Sequence, residues 1–292
     1  MNRRVFVATR EEEKTTLLSC LQRYEREITP AKKGADKEKH RLAIWKADPL
    51  AGRKMAQVTS ADLAAWRDDR LKAGKSSSTV TNDLNLLSAV FEVARKEWGM
   101  PALLNPLKSV SRPKKPRARD RRLKDGEEEK LLGAAAADKN IWMQSLIILA
   151  IETAARRSEL LQMQWKHIHF EDGVGQAIIE DSKNGEGREI PLSRRAVTTL
   201  KALKESKKHP RPIDGRVFGT VATEIDNAMK RIVKRAEMRD FHFHDLRREG
   251  VSRLLERGFS IPEASAVSGH KTWSMLKVYT KLRGISLAKK MG

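Results

Sequence analysis

Residues 241–290 hold the stretch that decides the fold. It reads FHFHDLRREGVSRLLERG over residues 241–258 and, after a short hydrophobic link, VSGHKTWSMLKVYTKL over residues 267–282. His244 and Arg247 lie three residues apart, so on a helix they share one face and can converge on one anion. His270 follows a glycine, and Tyr279 comes nine residues later. In a basic chain, these groups suggest a tightly held phosphate next to a hydroxyl nucleophile.

The composition favours a polyanionic partner. Among 292 residues, Lys and Arg number 59 and Asp and Glu number 38, which gives a formal net charge of +21. Each phosphate that such a surface neutralises releases condensed counterions, so the charge favours nucleic acid. A merely soluble basic protein is the alternative, and the clustering of the basic residues argues against it. The length suffices for two domains, each with its own core.

Several classes of protein are excluded by the same reading. The single cysteine, Cys20, cannot form an internal disulfide or a cysteine-rich zinc site, and it fits a reducing cytoplasm. No apolar run approaches the roughly 20 residues that span a bilayer, and residues 1–9 lack the hydrophobic segment of a signal peptide. The motif H-E-x-x-H, acidic clusters and phosphate-binding loops are also missing. The sequence therefore predicts a cytoplasmic protein with no membrane partner, no metal and no cofactor.

Helical periodicity dominates the amino-terminal part. Residues 1–13 predict a short arm, and residues 14–104 predict a small all-helical domain. Thr59 or Ser60 is the expected N-cap of the third helix, and Gly74 is its expected stop. Four helices are predicted, in TTLLSCLQRYEREI (15–28), EKHRLAIWKADPL (38–50), ADLAAWRDDRLKAG (61–74) and SSSTVTNDLNLLSAVFEVARKEWG (76–99).

Three tryptophans of this part lie on apolar helix faces. Trp45, Trp66 and Trp98 are predicted to be core or interface anchors, and stacking on nucleic-acid bases is the alternative.

The composition changes sharply in residues 105–122, NPLKSVSRPKKPRARDRR. Its prolines disfavour helix, so the segment predicts an extended, basic linker that could lie along a phosphate backbone. An ordinary flexible linker kept soluble by its charge is the alternative. The predicted DNA contacts are Arg112, Lys114, Lys115, Arg117, Arg119, Arg121 and Arg122.

The second domain is predicted over residues 123–280, followed by a tail at 281–292. Helical patterns in residues 125–137, 140–165, 193–206 and 221–238 surround three short strand-like runs, HIHF (167–170), QAIIE (176–180) and REIPL (188–192). The first long apolar helix breaks near Thr153. The prediction is a mostly helical domain that contains one small three-stranded antiparallel sheet.

Two further segments could supply partners for the anion site. Arg156 and Glu159 lie three residues apart near a helix start, although a surface ion pair of this kind is common and contributes little. Lys183 lies in a glycine-containing turn between two predicted strands, from which a flexible ammonium could reach into a groove. Taken alone, a solvated turn lysine is the simpler interpretation.

Together these motifs resemble the tyrosine recombinases, the phage integrase family. The motifs are TAARRSELL, SKNGEGREIPL, HDLRREG, SGHKT and VYT, in this order and with these gaps. HFHDLRREGVSRLLERG and SGHKTWSMLKVYTKLR further resemble shufflon-type DNA invertases and related prophage or plasmid integrases. The resemblance implies a mainly α protein with a helical core-binding domain and a catalytic domain of the DNA breaking-rejoining fold.

The resemblance also implies a role for each matching residue. Arg156, Arg247 and His270 would bind the scissile phosphate, and Tyr279 would be the nucleophile that forms a 3′-phosphotyrosine link. Glu159 would support the site, His244 would accept a proton, and Lys183 would protonate the leaving 5′-oxygen. Two positions depart from the family pattern: Ala154 stands where glycine is frequent, and Arg248 stands where histidine is common.

The implied activity is site-specific DNA recombination, by integration, excision or inversion. The implied partners are double-stranded recombination sites, a homo-tetramer on synapsed DNA and accessory DNA-bending proteins, in a bacterial nucleoid or on a plasmid. A type IB topoisomerase is the alternative within catalysis. A non-catalytic regulator is the alternative outside it, because IPEASAVSGHKTWSMLKVY (261–279) resembles a helix-turn-helix.

Overall fold

Helices make up most of the chain, and one small sheet interrupts them. The computed structural model describes residues 11–116, 119–180, 187–210, 212–276 and 279. It divides the chain into two units, Met1–Arg117 and Ala118–Gly292. The division falls inside the predicted 105–122 linker, while the predicted domain limits themselves remain a prediction.

The first unit contains five helices within its described part. The predicted helices of residues 15–99 are present, and a short additional helix covers part of the predicted arm. The helices are α1 (Glu11–Lys14), α2 (Leu17–Glu27), α3 (Ala35–Lys46), α4 (Ser60–Lys72) and α5 (Ser77–Glu97). Three-residue or four-residue 3₁₀ turns connect them at Thr29–Ala31, Pro49–Gly52 and Met55–Gln57.

Local sequence signals set the ends of these helices. Thr59 is the N-cap of α4: its hydroxyl accepts from the Asp62 amide at 3.2 Å, and the Asp62 carboxylate accepts from the Thr59 amide at 3.0 Å. This reciprocal pair satisfies two amides that a helix start leaves unpaired. Gly74, with a φ of 77°, follows the end of α4, where the left-handed conformation favours glycine. Of the two predicted caps, Thr59 and Ser60, the structure has Thr59.

The three tryptophans belong to the core of the first unit. Trp45 is 0% exposed and Trp66 is 8% exposed, and their rings stack with centroids 4.0 Å apart. Trp45 Nε1 donates to the Asp83 carbonyl at 3.0 Å, and Trp98 is also buried. Rings that are packed in this way have no free face for a nucleic-acid base, so the role of core anchor is the one that the structure supports.

The first half of the predicted linker differs from an extended strap. Leu107 and Val110 are 2% and 6% exposed and join the core of the first unit, and Pro106–Lys108 forms a 3₁₀ turn. The reason is local: the Asn105 side chain accepts from the Leu107 amide at 3.1 Å, which starts the turn and directs the two apolar side chains inward. The composition of the segment did not predict that Leu107 and Val110 would be buried.

The second unit contains eight helices and three strands within its described part. The helices are α6 (Glu127–Ala136), α7 (Met143–Thr153), α8 (Arg157–Gln162), α9 (Arg194–Glu205), α10 (Ala222–Arg235), α11 (Phe243–Glu256), α12 (Ile261–Ser268) and α13 (Trp273–Leu276). The strands are β1 (Ile168–Glu171), β2 (Val174–Ile179) and β3 (Arg188–Leu192). A 3₁₀ turn at Trp165–His167 precedes β1.

The strands form one antiparallel sheet in the order β1-β2-β3. Ile168 lies opposite Ala177, and Ala177 lies opposite Ile190, so these apolar side chains share the face that packs on the helices. Asp172 and Gly173 form the turn between β1 and β2 with positive φ angles of 46° and 81°. The predicted three-stranded sheet is confirmed, with strand limits displaced by at most two residues.

The packing of α11 against α7 positions the candidate site. A Cβ on Gly250 of α11 would lie 2.4 Å from the Ile151 carbonyl oxygen and 3.2 Å from Ala154, so only glycine allows this close approach. Ala154 ends α7 in the left-handed conformation, with a φ of 48° and a ψ of 25°. This is the position at which glycine is frequent in the family, and its backbone conformation supplies the physical reason.

The described residues contain neither a membrane-spanning helix nor a cluster of metal ligands. None of the described helices is long and apolar enough to cross a membrane. Among the same residues, no group of three or more His, Cys, Asp or Glu side chains could hold a metal ion.

Candidate active site

Arg156 lies at the start of α8 and faces the end of α12. It is the N-cap residue of α8, as its predicted position near a helix start requires. Its Nη1 donates to Glu159 Oε1 at 2.7 Å, and its Nη2 donates to the Gly269 carbonyl at 2.8 Å. These bonds fix the guanidinium plane while about a quarter of the side chain, 24%, stays accessible. An accessible, oriented guanidinium is suited to bind an oxyanion.

Glu159 is the buried carboxylate that organises the cations. It is 1% exposed, and its two oxygens accept from the Arg156 amide at 2.7 Å and from Arg188 at 3.2 and 2.8 Å. Burial on its own would raise the pKa of Glu159, but the hydrogen bonds from Arg188 and Arg156 outweigh it and hold the pKa below its usual value. Glu159 is therefore ionised and cannot be the weak surface pair that the sequence left open.

Arg188 is a member of this cluster that sequence reasoning missed. It begins β3, and its Nη1 donates to the Val267 carbonyl at 2.7 Å. A Cβ on Gly269 would lie only 2.9 to 3.1 Å from Nε, Cδ and Cζ of Arg188, so the glycine lets Arg188 pass beneath the end of α12. Gly269 also has a φ of 67°, which favours glycine independently. Arg188 thus ties β3 to Glu159 and to α12.

Arg247 lies on α11 and is almost fully buried, with 3% exposed. Its Nη1 donates to the carbonyl of Ala154, the residue in the left-handed conformation, and its Nη2 approaches the His270 ring nitrogens at 3.4 and 3.2 Å. Burial, followed by the charge of Arg156, lowers the pKa of Arg247 to about 10. The group stays positive at neutral pH, and a buried cation of this kind favours an anionic ligand.

His270 follows α12 and lies against Arg247. It is 9% exposed, and its Nδ1 is 2.6 Å from Ser268 Oγ. Burial, followed by the charges of Arg247 and Arg156, lowers the pKa of His270 from its ordinary value of 6.5 to about 3. His270 is therefore a neutral imidazole at physiological pH when no anion is bound.

His244 lies one turn before Arg247 on the same helix, as predicted. It is exposed at the surface, yet the surrounding protein still desolvates its ring enough to lower its pKa, and the charge of Arg247 adds to this effect. A neutral imidazole with solvent access is able to accept a proton.

Tyr279 is buried beside His270 and Arg248. It is 7% exposed, its ring centroid is 5.3 Å from that of His270, and the Arg248 guanidinium carbon is 5.1 Å from its ring. The second contact has the geometry of a cation–π interaction. The arginine that replaces the family's frequent histidine therefore packs on the candidate nucleophile.

Six of the seven predicted site residues lie in the described part of the second unit, and the structure brings them together. They are Arg156, Glu159, His244, Arg247, His270 and Tyr279. Lys183 lies outside the described residues, so its predicted role stays a prediction. The catalytic roles of these six residues remain a proposal.

Four of the seven linker residues predicted to contact DNA form hydrogen bonds or ion pairs with protein groups of their own unit. Lys114 and Lys115 are exposed, and Arg117 lies outside the described residues. The other four donate to protein acceptors: Arg112 to Asn85 and to the carbonyls of Leu107 and Val110, Arg119 to Asp240 and Asp245, Arg121 to Glu127, and Arg122 to Glu249 and Glu256. These ion pairs and hydrogen bonds compete with any phosphate contact.

Two comparisons of sequence identify the family. The model of the phage integrase family matches residues 121–284. A shufflon-specific DNA recombinase of Escherichia coli is 38% identical over 286 residues, which cover 95% of this chain and 72% of that protein. A putative integrase/recombinase of Haemophilus influenzae is 32% identical over 273 residues, which cover 90% of this chain and 71% of that protein. The chain belongs to the phage integrase family, and it is a site-specific DNA recombinase of the tyrosine type.

Solved structures show the same fold. Lambda integrase, residues 75–356, in a dimer bound to a COC′ core site, aligns with a TM-score of 0.75 at 24% identity, over 92% of this chain and 97% of that chain. The Tn1549 transposon integrase, residues 82–397, in complex with circular intermediate DNA, aligns with a TM-score of 0.74 at 21% identity, over 96% of this chain and 100% of that chain. The predicted mainly α fold with a small antiparallel sheet is confirmed.

Proposed function

We propose that the cluster around Glu159 is the active site, and that Tyr279 attacks a DNA phosphate there to form a 3′-phosphotyrosine link. The observation that carries this proposal is the convergence of Arg156, Arg247 and His270 beside a buried tyrosine. The bond energy is kept in the covalent link, so the reverse attack by a DNA 5′-hydroxyl reseals the strand without a high-energy cofactor.

The two arginines stabilise the charge of the transition state. A pentacoordinate phosphorus gathers negative charge on its non-bridging oxygens, and guanidinium groups that are already oriented can receive it without reorganisation. Arg156 is held by Glu159 and by the Gly269 carbonyl, and Arg247 by the Ala154 carbonyl, so neither has to give up its position to bind. His270 contributes a further ring nitrogen to the same place.

Proton transfer completes the proposed reaction. His244 is neutral because desolvation by the surrounding protein and the charge of Arg247 lower its pKa, so it can take the phenol proton as Tyr279 attacks. We assign protonation of the leaving 5′-oxygen to Lys183, whose position next to the start of β3 in the sequence supports this role. An alkoxide is a poor leaving group, and an ammonium can supply the proton that it needs.

We further propose DNA inversion between two sites as the outcome. The support is the similarity to a shufflon-specific recombinase that covers 95% of this chain. Strand exchange between two sites needs four active sites, and lambda integrase has been solved as a tetramer bound to a Holliday junction. We expect a homo-tetramer on paired sites. Where the sites are distant, we expect DNA-bending proteins to assist its assembly. Native gels of a two-site fragment test whether the tetramer forms.

A covalent trap tests the proposed chemistry. The chain contains two tyrosines, Tyr24 and Tyr279, and Tyr24 is a matched control because it is 2% exposed in the core of the first unit and accepts from Lys32 at 2.8 Å. The protein is incubated with fragments of its host replicon and denatured, and DNA still attached to protein is sequenced. Attachment at a few discrete sites that Tyr279→Phe abolishes and Tyr24→Phe retains is the expected result.

Other outcomes would replace the proposal. Attachment scattered over all fragments would identify a topoisomerase. Attachment that survives Tyr279→Phe would refute the assigned nucleophile, and tight binding with no attachment at any site would favour a regulator.

A further inference from the structure

Ser268 has two short contacts that the proposed mechanism does not use. Its Oγ is 2.6 Å from the Ala264 carbonyl oxygen and 2.6 Å from His270 Nδ1. The residue is 0% exposed, so neither contact is shared with bulk solvent. Both distances are at the short end of hydrogen-bond lengths, and each contact therefore needs a proton between its two atoms.

Proton accounting decides the direction of both bonds. A serine hydroxyl has a single proton, and a carbonyl oxygen can only accept. Ser268 must therefore donate to Ala264, and His270 Nδ1 must donate its own N–H to Ser268 Oγ. The reverse assignment would leave two oxygens 2.6 Å apart with no proton between them. The contacts thus specify a His270 ring that is protonated on Nδ1 and unprotonated on Nε2.

The neighbouring arginine does not decide between the tautomers. Arg247 Nη2 is 3.4 Å from Nδ1 and 3.2 Å from Nε2, and nearly equal distances mean that it does not lie along one lone pair. A guanidinium can only donate, so its contact is compatible with either neutral ring. Ser268 is the partner whose geometry distinguishes the two ring nitrogens.

The backbone of His270 is held by the same helix. Ser265 Oγ donates to the His270 carbonyl at 2.6 Å, and the His270 amide donates to the Ser265 carbonyl at 3.3 Å. Gly269, in the left-handed conformation, turns the chain between these bonds. Ser265 therefore fixes where the ring is attached, while Ser268 fixes which way the ring faces.

We propose that Ser268 is a positioning residue that accepts the Nδ1–H of His270 and so turns Nε2 towards the DNA phosphate. When the phosphate binds and offsets the charges of Arg247 and Arg156, Nε2 takes up a proton from solvent and donates it to a phosphate oxygen. The proposal deepens the function proposed above and rests on it, since it assumes that His270 contacts the scissile phosphate. Without Ser268, Nδ1 loses the partner that holds the ring, so the ring can rotate and the fraction of molecules with Nε2 directed at the phosphate falls.

Nitrogen-15 NMR tests the tautomer on the DNA-free protein. Long-range ¹H–¹⁵N correlations distinguish protonated from unprotonated ring nitrogens, and the His270→Gln variant identifies the signals that belong to His270. The wild-type protein at pH 7 should show a protonated Nδ1 and an unprotonated Nε2. A protonated Nε2 in the wild-type protein would overturn the proposal, whatever the variants do. Because no DNA is present, this result is independent of whether the proposed function holds.

Cleavage kinetics test the consequence. Ser268→Ala should lower the rate of covalent attachment to a cleavable target site by about ten- to hundredfold, by analogy with metal-ligating histidines that lose the partner orienting the ring, with DNA affinity unchanged. Ser268→Thr keeps a hydroxyl and should restore most of the rate. Ser252→Ala removes another buried serine of the second unit, outside the cluster, and serves as the control.

Two results would contradict the kinetic expectation. The first is a Ser268→Ala protein that cleaves at the wild-type rate. The second is a Ser268→Thr protein that is as slow as Ser268→Ala, with circular dichroism showing both to be folded. Failure of the proposed function gives a different pattern, in which covalent attachment no longer depends on Tyr279 while the His270 tautomer is still the one that Ser268 specifies.

Discussion

At the scale of single residues, one buried carboxylate is shared between two guanidinium groups. Glu159 is 1% exposed and binds Arg156 and Arg188, and its charge also offsets that of Arg247. Removing one partner of a buried ion pair leaves the other charge uncompensated, which costs more than the pair contributes. The stability of the second unit should therefore depend on the charge of Glu159.

Glu159→Gln keeps the shape of the side chain and removes its charge. We expect a loss of about 3–5 kcal/mol in the free energy of unfolding, measured by urea titration, since a buried pair is broken. Asp226→Asn is the control, because Asp226 pairs with Arg157 on the surface and its side chain is 53% exposed. Equal effects of the two substitutions would refute the structural role of Glu159.

The neutral state of His270 makes stability depend on pH. Its pKa is about 3 in the folded protein and 6.5 when unperturbed, so the unfolded chain binds the extra proton between these values. The contribution of His270 to the free energy of unfolding is then fully present above pH 6.5 and is lost as the pH falls towards 3. Unfolding titrations between pH 7 and about 4 should show a steeper loss for the wild-type protein than for His270→Gln. Parallel curves would contradict the assignment.

Residue types and spacing predicted most of this cluster but not all of it. Arg156, His244, Arg247, His270 and Tyr279 could be recognised because their spacing matches a known order of motifs. Arg188 and Ser268 could not, because an arginine that begins a strand and a serine at a helix end are common. Arg188 is important because it binds Glu159, which is distant in sequence. Ser268 is important because of the direction of its hydroxyl bond, which residue spacing does not encode.

At the scale of elements, the crossing of α7 and α11 has a strict steric requirement. A Cβ added at Gly250 would lie 2.4 Å from the Ile151 carbonyl oxygen. Both atoms are fixed by the backbone, so no side-chain rotation can relieve the clash. Because α11 carries His244 and Arg247, any displacement of this helix would move both groups relative to Arg156.

Gly250→Ala should therefore destabilise the second unit by about 1–3 kcal/mol, the usual cost of overpacking, and should reduce cleavage. Gly133→Ala is a matched control in α6, where an added Cβ meets nothing within 4 Å. That substitution should stabilise by roughly 0.5–1 kcal/mol because alanine favours helix. Thermal unfolding measures both, and a Gly250→Ala protein as stable as the wild type would contradict the described packing.

Elements were easier to predict than their environments. Caps and stops such as Thr59 and Gly74 are local, and α2–α5 and the three strands follow the predicted order with small shifts at their ends. The linker was harder, because two apolar side chains, Leu107 and Val110, decide that its first part packs on the first unit. A proline-rich and basic composition does not reveal that choice.

At the scale of the whole molecule, the net charge of +21 overstates the cations that are free to bind DNA. Arg119, Arg121 and Arg122 form ion pairs in the second unit, whereas Lys114 and Lys115 are exposed. Charge counting from sequence cannot separate these groups, because pairing depends on carboxylates more than a hundred residues away, such as Asp245 and Glu249.

Replacing both Lys114 and Lys115 by Gln should weaken DNA binding and lower the slope of log affinity against log salt by about 2, since two phosphate contacts are lost. Arg122→Gln should instead destabilise the second unit and leave the salt slope unchanged, because Arg122 pairs with Glu249 and Glu256. Fluorescence anisotropy over a salt series separates the two effects. An unchanged slope in the double lysine variant would exclude these residues as phosphate contacts.

If the cluster around Glu159 activates Tyr279, the covalent bond to DNA must form on that residue, and mapping the bond shows whether it does. The wild-type protein is trapped on a nicked target site, the DNA is digested, and the residue that retains a nucleotide is located by mass spectrometry. We expect a 3′-phosphate linkage on the peptide that contains Tyr279 and none on the peptide that contains Tyr24. A linkage on any other residue, or through a 5′-phosphate, would contradict it.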